Sequence, residues 1–198
     1  AGSASSLLEG ETSLDSTTKS ELTQTIYDEA NRLDRLVANL LEMSRLQSGQ
    51  TKLNQEWHVL EEVVGCALAQ LEAQLQNHPV VINLPADLPM VRIDALLMER
   101  VFINLLENAI KYTPEQTPVT ISGWITQQEL LLEVADRGPG VAPGAVESLF
   151  TPYFTTRPNG TGLGLAIVRR IAAAHGWESG YVPRPGGGSI FWLDRIDG

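Results

Sequence analysis

Asn104, Asn108 and Lys111 stand at i, i+4 and i+7 in a stretch of helical periodicity. Two carboxamides and an ammonium therefore share one face, where a core would call for Leu or Ile. An amide oxygen suits Mg²⁺, which takes few protein ligands when phosphates complete its shell, and Lys111 can offset phosphate charge. The same residues would equally suit a solvated helix face. A second group is Asp136-Arg137-Gly138-Pro139-Gly140, directly after an apolar run ending at Val134. A carboxylate at a strand end can accept from an exocyclic amine, and glycines beside it let a flat ring approach the backbone, which together suit adenine. A plain turn explains the same five residues. The third group is Gly160-Thr161-Gly162-Leu163-Gly164-Leu165, at the head of a helical stretch, where bared N–H groups favour phosphate oxygens. No Gly-Lys-Ser/Thr follows, so it is not a Walker A loop. It also lacks the preceding strand and downstream acid of a dinucleotide fingerprint.

The elements that must position these groups can be read from the periodicity. Apolar residues at Leu22, Ile26, Ala30, Leu33, Val37 and Leu40, widened by Leu36, Leu41 and Met43, form a heptad-like stripe on a long helix. Its only local partner is a short helical stub around Leu7 and Leu8, stopped by Gly10. Burying the stripe therefore points to a second copy of the chain and a helical bundle. Packing of the stripe on the downstream domain is the alternative. Ser48-Gly49-Gln50 ends the long helix, which places a domain boundary near residue 53 and divides the chain into residues 1–53 and 54–198. Beyond it, residues 59–75 read as an amphipathic helix, 80–84 as a strand, and 94–112 as a helix capped by Asp94. Residues 119–125 and 130–134 form a hairpin, 163–174 a helix, and 180–182 with 189–193 a last hairpin. Helices first, then helices alternating with antiparallel strands, predict an α+β sandwich with one sheet face covered.

Composition narrows the function. With 14 Lys and Arg against 24 Asp and Glu, the net charge over 198 residues is -10, which excludes nucleic acid as the main partner but not a compact nucleotide. The single cysteine, Cys66, rules out an internal disulfide and is expected as a small buried side chain. No run approaches the ~18 apolar residues of a membrane span, and the N-terminus lacks the basic flank of a signal peptide.

In their order along the chain these groups resemble the GHKL ATP-binding fold and, within it, the catalytic domain of sensor histidine kinases. Residues 104–112 resemble its N box, 136–140 its G1 box, Leu149-Phe150-Thr151-Pro152-Tyr153-Phe154 its F box, and 160–164 its G2 box. His175-Gly176 and Gly186-Gly187-Gly188-Ser189 are further familiar marks, and the likeness spans roughly residues 60–194. The stretches 3–10, 35–41 and 60–65 are similar to KdpD-type potassium sensors.

The resemblance implies a GHKL-type sandwich, a mixed sheet with helices on one face, preceded by dimerisation helices. It implies ATP and Mg²⁺ as cofactors. Asn108 would coordinate Mg²⁺, while Asn104 and Lys111 would act on the phosphates or a metal-bound water. Tyr112 would line the ribose side and Asp136 read the adenine amine. Gly138, Gly140 and the run Gly160, Thr161, Gly162, Leu163 and Gly164 would shape the pocket and its lid, with Arg157 a candidate phosphate contact. The lid, residues 141–161, is shorter than in many KdpD-type chains. Hydrolysing relatives carry a Glu as base where this chain has Asn104, which cannot take a proton at neutral pH. Kinases of this kind phosphorylate a His followed by Glu or Asp, whereas here His58 precedes Val59, His78 precedes Pro79 and His175 precedes Gly176. The expectation is a fragment beginning after the phosphoacceptor, unable to phosphorylate itself, with an ATPase of the same fold or a non-catalytic dimerisation module as the alternatives. It would form a homodimer through its N-terminal helices, with a response regulator receiver domain as partner. The parent would be a bacterial inner-membrane protein, this part of it cytoplasmic.

Overall fold

A computed structural model describes residues 15–47, 53–126, 129–157 and 160–195. The expected stub at Leu7, Leu8 and Gly10, the helix stop at residues 48–50, the hairpin turn at Gln127 and Gln128, and Pro158 with Asn159 lie outside them. The chain divides into two compact units between Glu42 and Met43. The expected boundary lay near residue 53. The division falls earlier because Met43, only 4% exposed, belongs to the core of the second unit.

Helix α1 (Ser16–Gln47), most of which belongs to the first unit, starts inside the polar patch rather than after it. Asp15 explains the start: its Oδ1 accepts from the Thr18 N–H at 2.8 Å, satisfying one of the donors a helix leaves bare. Leu33, Val37, Leu40 and Leu41 on its stripe are exposed.

The second unit opens with β1 (Glu56–His58), followed by α2 (Leu60–Gln70) and the short α3 (Glu72–Leu75). One amphipathic helix was expected over 59–75; the chain instead breaks at Leu71, whose side chain is buried at 3% exposure. Cys66 is exposed, not buried, because the buried stripe of α2 is Leu60, Val63, Val64 and Ala67 and Cys66 falls off it. Next come β2 (Val80–Asn83), β3 (Val91–Ile93) and α4 (Ala95–Tyr112). The remaining elements are β4 (Val119–Thr126), β5 (Glu129–Ala135), a 3₁₀ helix (Pro143–Ser148), α5 (Gly164–Ala174), β6 (Trp177–Pro183) and β7 (Ser189–Arg195).

The main sheet runs β2-β4-β5-β7-β6, with β2 parallel to β4 and every other pairing antiparallel. A separate ribbon pairs β1 with β3. Along β4 and β5 alternate side chains are buried and partly exposed, so one face of the sheet meets the helices. On that face Val119, Ile121, Leu132, Val134 and Leu193 pack with Val101, Phe102 and Leu106 of α4 and Ile167 and Ile171 of α5 in one core. Each such side chain removed from water contributes about 1.5–3 kcal/mol before entropy is counted. This is the α+β sandwich that was expected, with a mixed sheet.

Candidate nucleotide-binding site

Asp94 caps α4: its backbone is extended and its Oδ1 accepts from the Leu97 N–H at 3.2 Å. With its start fixed, α4 turns Val101, Phe102, Leu105 and Leu106 into the core and brings Asn104 and Asn108 to the border of that face. Asn104 is buried, its Nδ2 donating to the Arg100 carbonyl at 2.8 Å. Asn108 is half-buried and its carboxamide has no hydrogen-bond partner among the described residues. Lys111 does not stand free for a phosphate: its Nζ pairs with Glu107 at 3.0 Å, the neighbour one turn back.

Asp136 follows β5 and is 5% exposed. Its Oδ1 accepts from the Gly138 N–H at 2.7 Å and from the Ser189 N–H at 3.2 Å, which fixes the carboxylate plane. Its Oδ2 takes no hydrogen bond among the described residues. Gly138 lies against the end of α4, where a Cβ would come within 2.7 Å of the Tyr112 carbonyl oxygen. The loop after Asp136 and the C-terminus of α4 are thus in backbone contact. Gly140 has φ +74° and faces the Gly188 carbonyl.

The glycine run joins the same cluster from the other side. Gly162 needs φ +65°, and its carbonyl accepts from the Tyr153 N–H at 2.9 Å. A Cβ at Gly164 would lie 2.9 Å from Asn104 Oδ1, so the first turn of α5 rests on the carboxamide of α4. Among the described residues no side chain caps α5, and leading N–H groups of this kind suit an anion. Thr161 Oγ1 accepts from the Leu163 N–H at 3.3 Å, and Gly160 closes a turn onto the Arg157 carbonyl at 3.1 Å. Leu163 was expected among the nucleotide-contacting residues, but its side chain is 1% exposed and belongs to the core. Only its backbone can serve a ligand.

Arg157 is also placed differently from the expectation. Its Nη2 donates to the Lys111 carbonyl, and its guanidinium lies 4.6 Å from the centre of the Tyr112 ring. The Tyr112 hydroxyl reaches Thr156 Oγ1 at 3.5 Å. Arg157 therefore fastens its loop to the end of α4. Sequence reasoning passed over two side chains that touch the cluster: Arg184, whose Nη1 donates to the Asp136 carbonyl at 3.1 Å, and Tyr181, whose hydroxyl accepts from the Val141 N–H at 3.3 Å. Their signal was the glycine turn beside them, which marks a close approach of backbones.

The three sequence groups thus converge. Asp136 suits an exocyclic amine, a glycine-lined wall suits a flat ring, and the head of α5 suits phosphates. Among the described residues no three His, Cys, Asp or Glu side chains gather to hold a metal. A divalent ion here would take its charge balance from phosphates, with the unengaged Asn108 carboxamide as a fitting hard donor.

The family profile described as histidine kinase-, DNA gyrase B-, and HSP90-like ATPase matches residues 93–197, and the chain belongs to that family. Within it the curated relatives are sensor histidine kinases, and the matched segment is the ATPase domain of such two-component kinases. The sensor protein KdpD of Escherichia coli is 44% identical over 161 residues, covering 79% of this chain and 18% of the relative. KdpD of Clostridium acetobutylicum is 35% identical over 196 residues, covering 96% of this chain and 22% of the relative. The chain therefore spans about a fifth of the length of these relatives. Among solved structures, full-length ShkA in complex with AMPPNP has a TM-score of 0.78 at 27% identity, covering 94% of this chain and 40% of that one. Among the described residues no helix is long and apolar enough to cross a membrane.

Proposed function

We propose that the chain binds Mg²⁺-ATP between the end of α4, the loop after β5 and the head of α5, and presents the γ-phosphate to a protein histidine. From there the phosphoryl group passes to an Asp of a response regulator receiver domain. The observation that carries this reading is Asp136, a buried carboxylate with one oxygen pinned by two backbone N–H groups and the other left for an adenine amine. Asn104 and Asn108 hold the phosphate end, and α5 supplies N–H groups and the positive end of its dipole. Magnesium, when bound, neutralises charge developing on the phosphates. Catalysis then consists of positioning and charge stabilisation, which is how phosphoryl transfer is mostly achieved.

Asn104 cannot act as a base toward water, which favours transfer over steady hydrolysis. The acceptor is none of this chain's own three histidines. His175 Nε2 accepts from the Asp94 N–H at 3.0 Å and Nδ1 donates to the Ile171 carbonyl at 2.8 Å, so both ring nitrogens are engaged. His78 is buried, and His58 sits in a strand without a following acid. The chain is accordingly expected not to label itself with ATP. Residues 1–53 are read as the homodimerisation region and 54–198 as the nucleotide-binding domain, a reading that the exposed Leu33, Val37, Leu40 and Leu41 of α1 support. The whole is the cytoplasmic part of a bacterial inner-membrane sensor.

Calorimetric titration with a non-hydrolysable ATP analogue, with and without Mg²⁺, tests the site. Binding should weaken without the metal, in Asn108→Ala and in Asp136→Ala. Equal affinity in all four cases would remove the assignment.

A further inference from the structure

We propose that Arg184, on the β6–β7 hairpin, is a positioning residue that makes the site selective for adenine over guanine. The inference rests on the reading of Asp136 as the group that meets the base. Asp136 is the first residue past β5, so its carbonyl has left the strand ladder, and the only donor that reaches it among the described residues is Arg184 Nη1 at 3.1 Å. Its N–H still donates to the Ser189 carbonyl at 2.9 Å, and its Oδ1 accepts from the Ser189 N–H. The hairpin therefore holds Asp136 at its N–H, its carbonyl and its carboxylate. The loop that Asp136 begins supplies only the Gly138 N–H.

The hairpin turn is built to deliver that arginine. Gly186, Gly187 and Gly188 have φ of +83°, +103° and +112°, a succession that side-chain-bearing residues resist. The turn closes with the Arg184 N–H donating to the Gly188 carbonyl and the Gly187 N–H to the Arg184 carbonyl, each at 3.1 Å. Gly188 lies directly against the Asp136 peptide, where a Cβ would come within 2.8 Å of Arg137 Cα. Backbone thus meets backbone at Asp136, and Arg184 reaches past the contact to the Asp136 carbonyl. A guanidinium on that carbonyl fixes the plane of the peptide between residues 136 and 137, which leads into the turn whose Gly138 N–H holds Oδ1, and through that turn it steadies the carboxylate that carries the free Oδ2.

Direction is what separates the two purines. Adenine offers Oδ2 an amine donor at the position where guanine offers a carbonyl oxygen, which a carboxylate repels. A buried acceptor aimed at that position discriminates strongly, and one free to swing aside does not. Arg184 touches neither base nor phosphate in this account. Its loss should therefore relax selectivity while leaving the phosphate-held part of the affinity in place.

The test is the dissociation constant of the full 198-residue chain for non-hydrolysable ATP and GTP analogues. It is measured alongside the melting temperature for the native chain, Arg184→Ala, Arg184→Lys and Asp136→Asn. Arg184→Ala should narrow the ATP-over-GTP preference by about tenfold, mostly through weaker ATP binding, with GTP affinity within about twofold. Arg184→Lys, which keeps a donor for the carbonyl, should recover most of the preference. If Asp136→Asn abolishes the preference and Arg184→Ala leaves it intact, the role given to Arg184 is wrong. A loss of ATP and GTP affinity in equal measure, alongside a lowered melting temperature, would reduce Arg184 to a structural brace. If Asp136→Asn itself leaves the preference unchanged, the reading of Asp136 falls and this proposal with it.

Discussion

Helices α1 and α4 both carry an apolar stripe, and they differ in what the stripe meets. Met98, Val101, Phe102 and Leu106 of α4 are wholly buried, while Leu33, Val37, Leu40 and Leu41 of α1 are 50 to 55% exposed. The same kind of periodicity thus yields opposite burial, because a sheet and two neighbouring helices lie against α4 whereas, among the described residues, Leu33, Val37, Leu40 and Leu41 of α1 are left uncovered and only Met43 of its stripe is buried. Periodicity states that a helix has a face to bury. It does not state where the cover comes from.

The contrast is open to direct attack. Phe102→Ala in α4 should cost about 3–5 kcal/mol and lower the melting temperature of the second unit sharply, whereas Leu33→Ala in α1 should leave that transition in place. Thermal unfolding followed by near-ultraviolet circular dichroism would read both. Two acids on the α1 stripe, Leu33→Asp with Val37→Asp, should convert a dimer to a monomer in light scattering without moving nucleotide affinity. An unchanged mass would show that the stripe is not the dimer contact. A methyl at Gly162 would meet the Phe154 N–H group and force an L residue to φ +65°, so Gly162→Ala should cost about 1–2 kcal/mol locally. It should weaken binding of the ATP analogue more than it lowers the melting temperature.

Smaller effects come from titration. Burial on the sheet raises the Glu133 carboxyl above its ordinary value of 4.5. Its folded form therefore holds a proton more readily than the unfolded chain. That contribution to stability is full below about pH 4.5 and is lost as pH rises through the folded value. Glu133→Gln should stabilise the domain at pH 7 by less than about 1 kcal/mol, given the partial exposure, and the gain should vanish in acid. The Asp15 carboxyl moves the other way, lowered by hydrogen bonds from the Thr18 hydroxyl and N–H. Its capping contribution is present at neutral pH and fades only as pH drops through that lowered value. Asp15→Ala should trim far-ultraviolet helix signal from α1 alone.

Much of the second unit was legible because local chemistry and tertiary packing agree there. The Asp94 cap, the apolar stripe after it, the alternation in β4 and β5 and the glycines before α5 all point to the elements observed. The ribbon of β1 and β3 was missed because three residues are too few to display a period. Cys66 is exposed against expectation because a small, weakly polar side chain suits either face of an amphipathic helix, and the buried stripe of α2 excludes it. At the site, residue type announced the glycines and Asp136 correctly as neighbours, but not the engagements of Lys111 and Arg157. A cation in sequence states its charge and not its partner, and both found acceptors nearer than a phosphate: Glu107 one turn away and the carbonyl at the end of α4.

His175 ties the far end of α5 to the N–H of Asp94, while Gly164 at the near end of α5 seats on Asn104. Helix α5 thus meets α4 near both of its ends, by a hydrogen bond at one and by close packing at the other. The two helices that supply the carboxamides and the bare N–H groups are thereby set in register with each other by contacts of the fold itself.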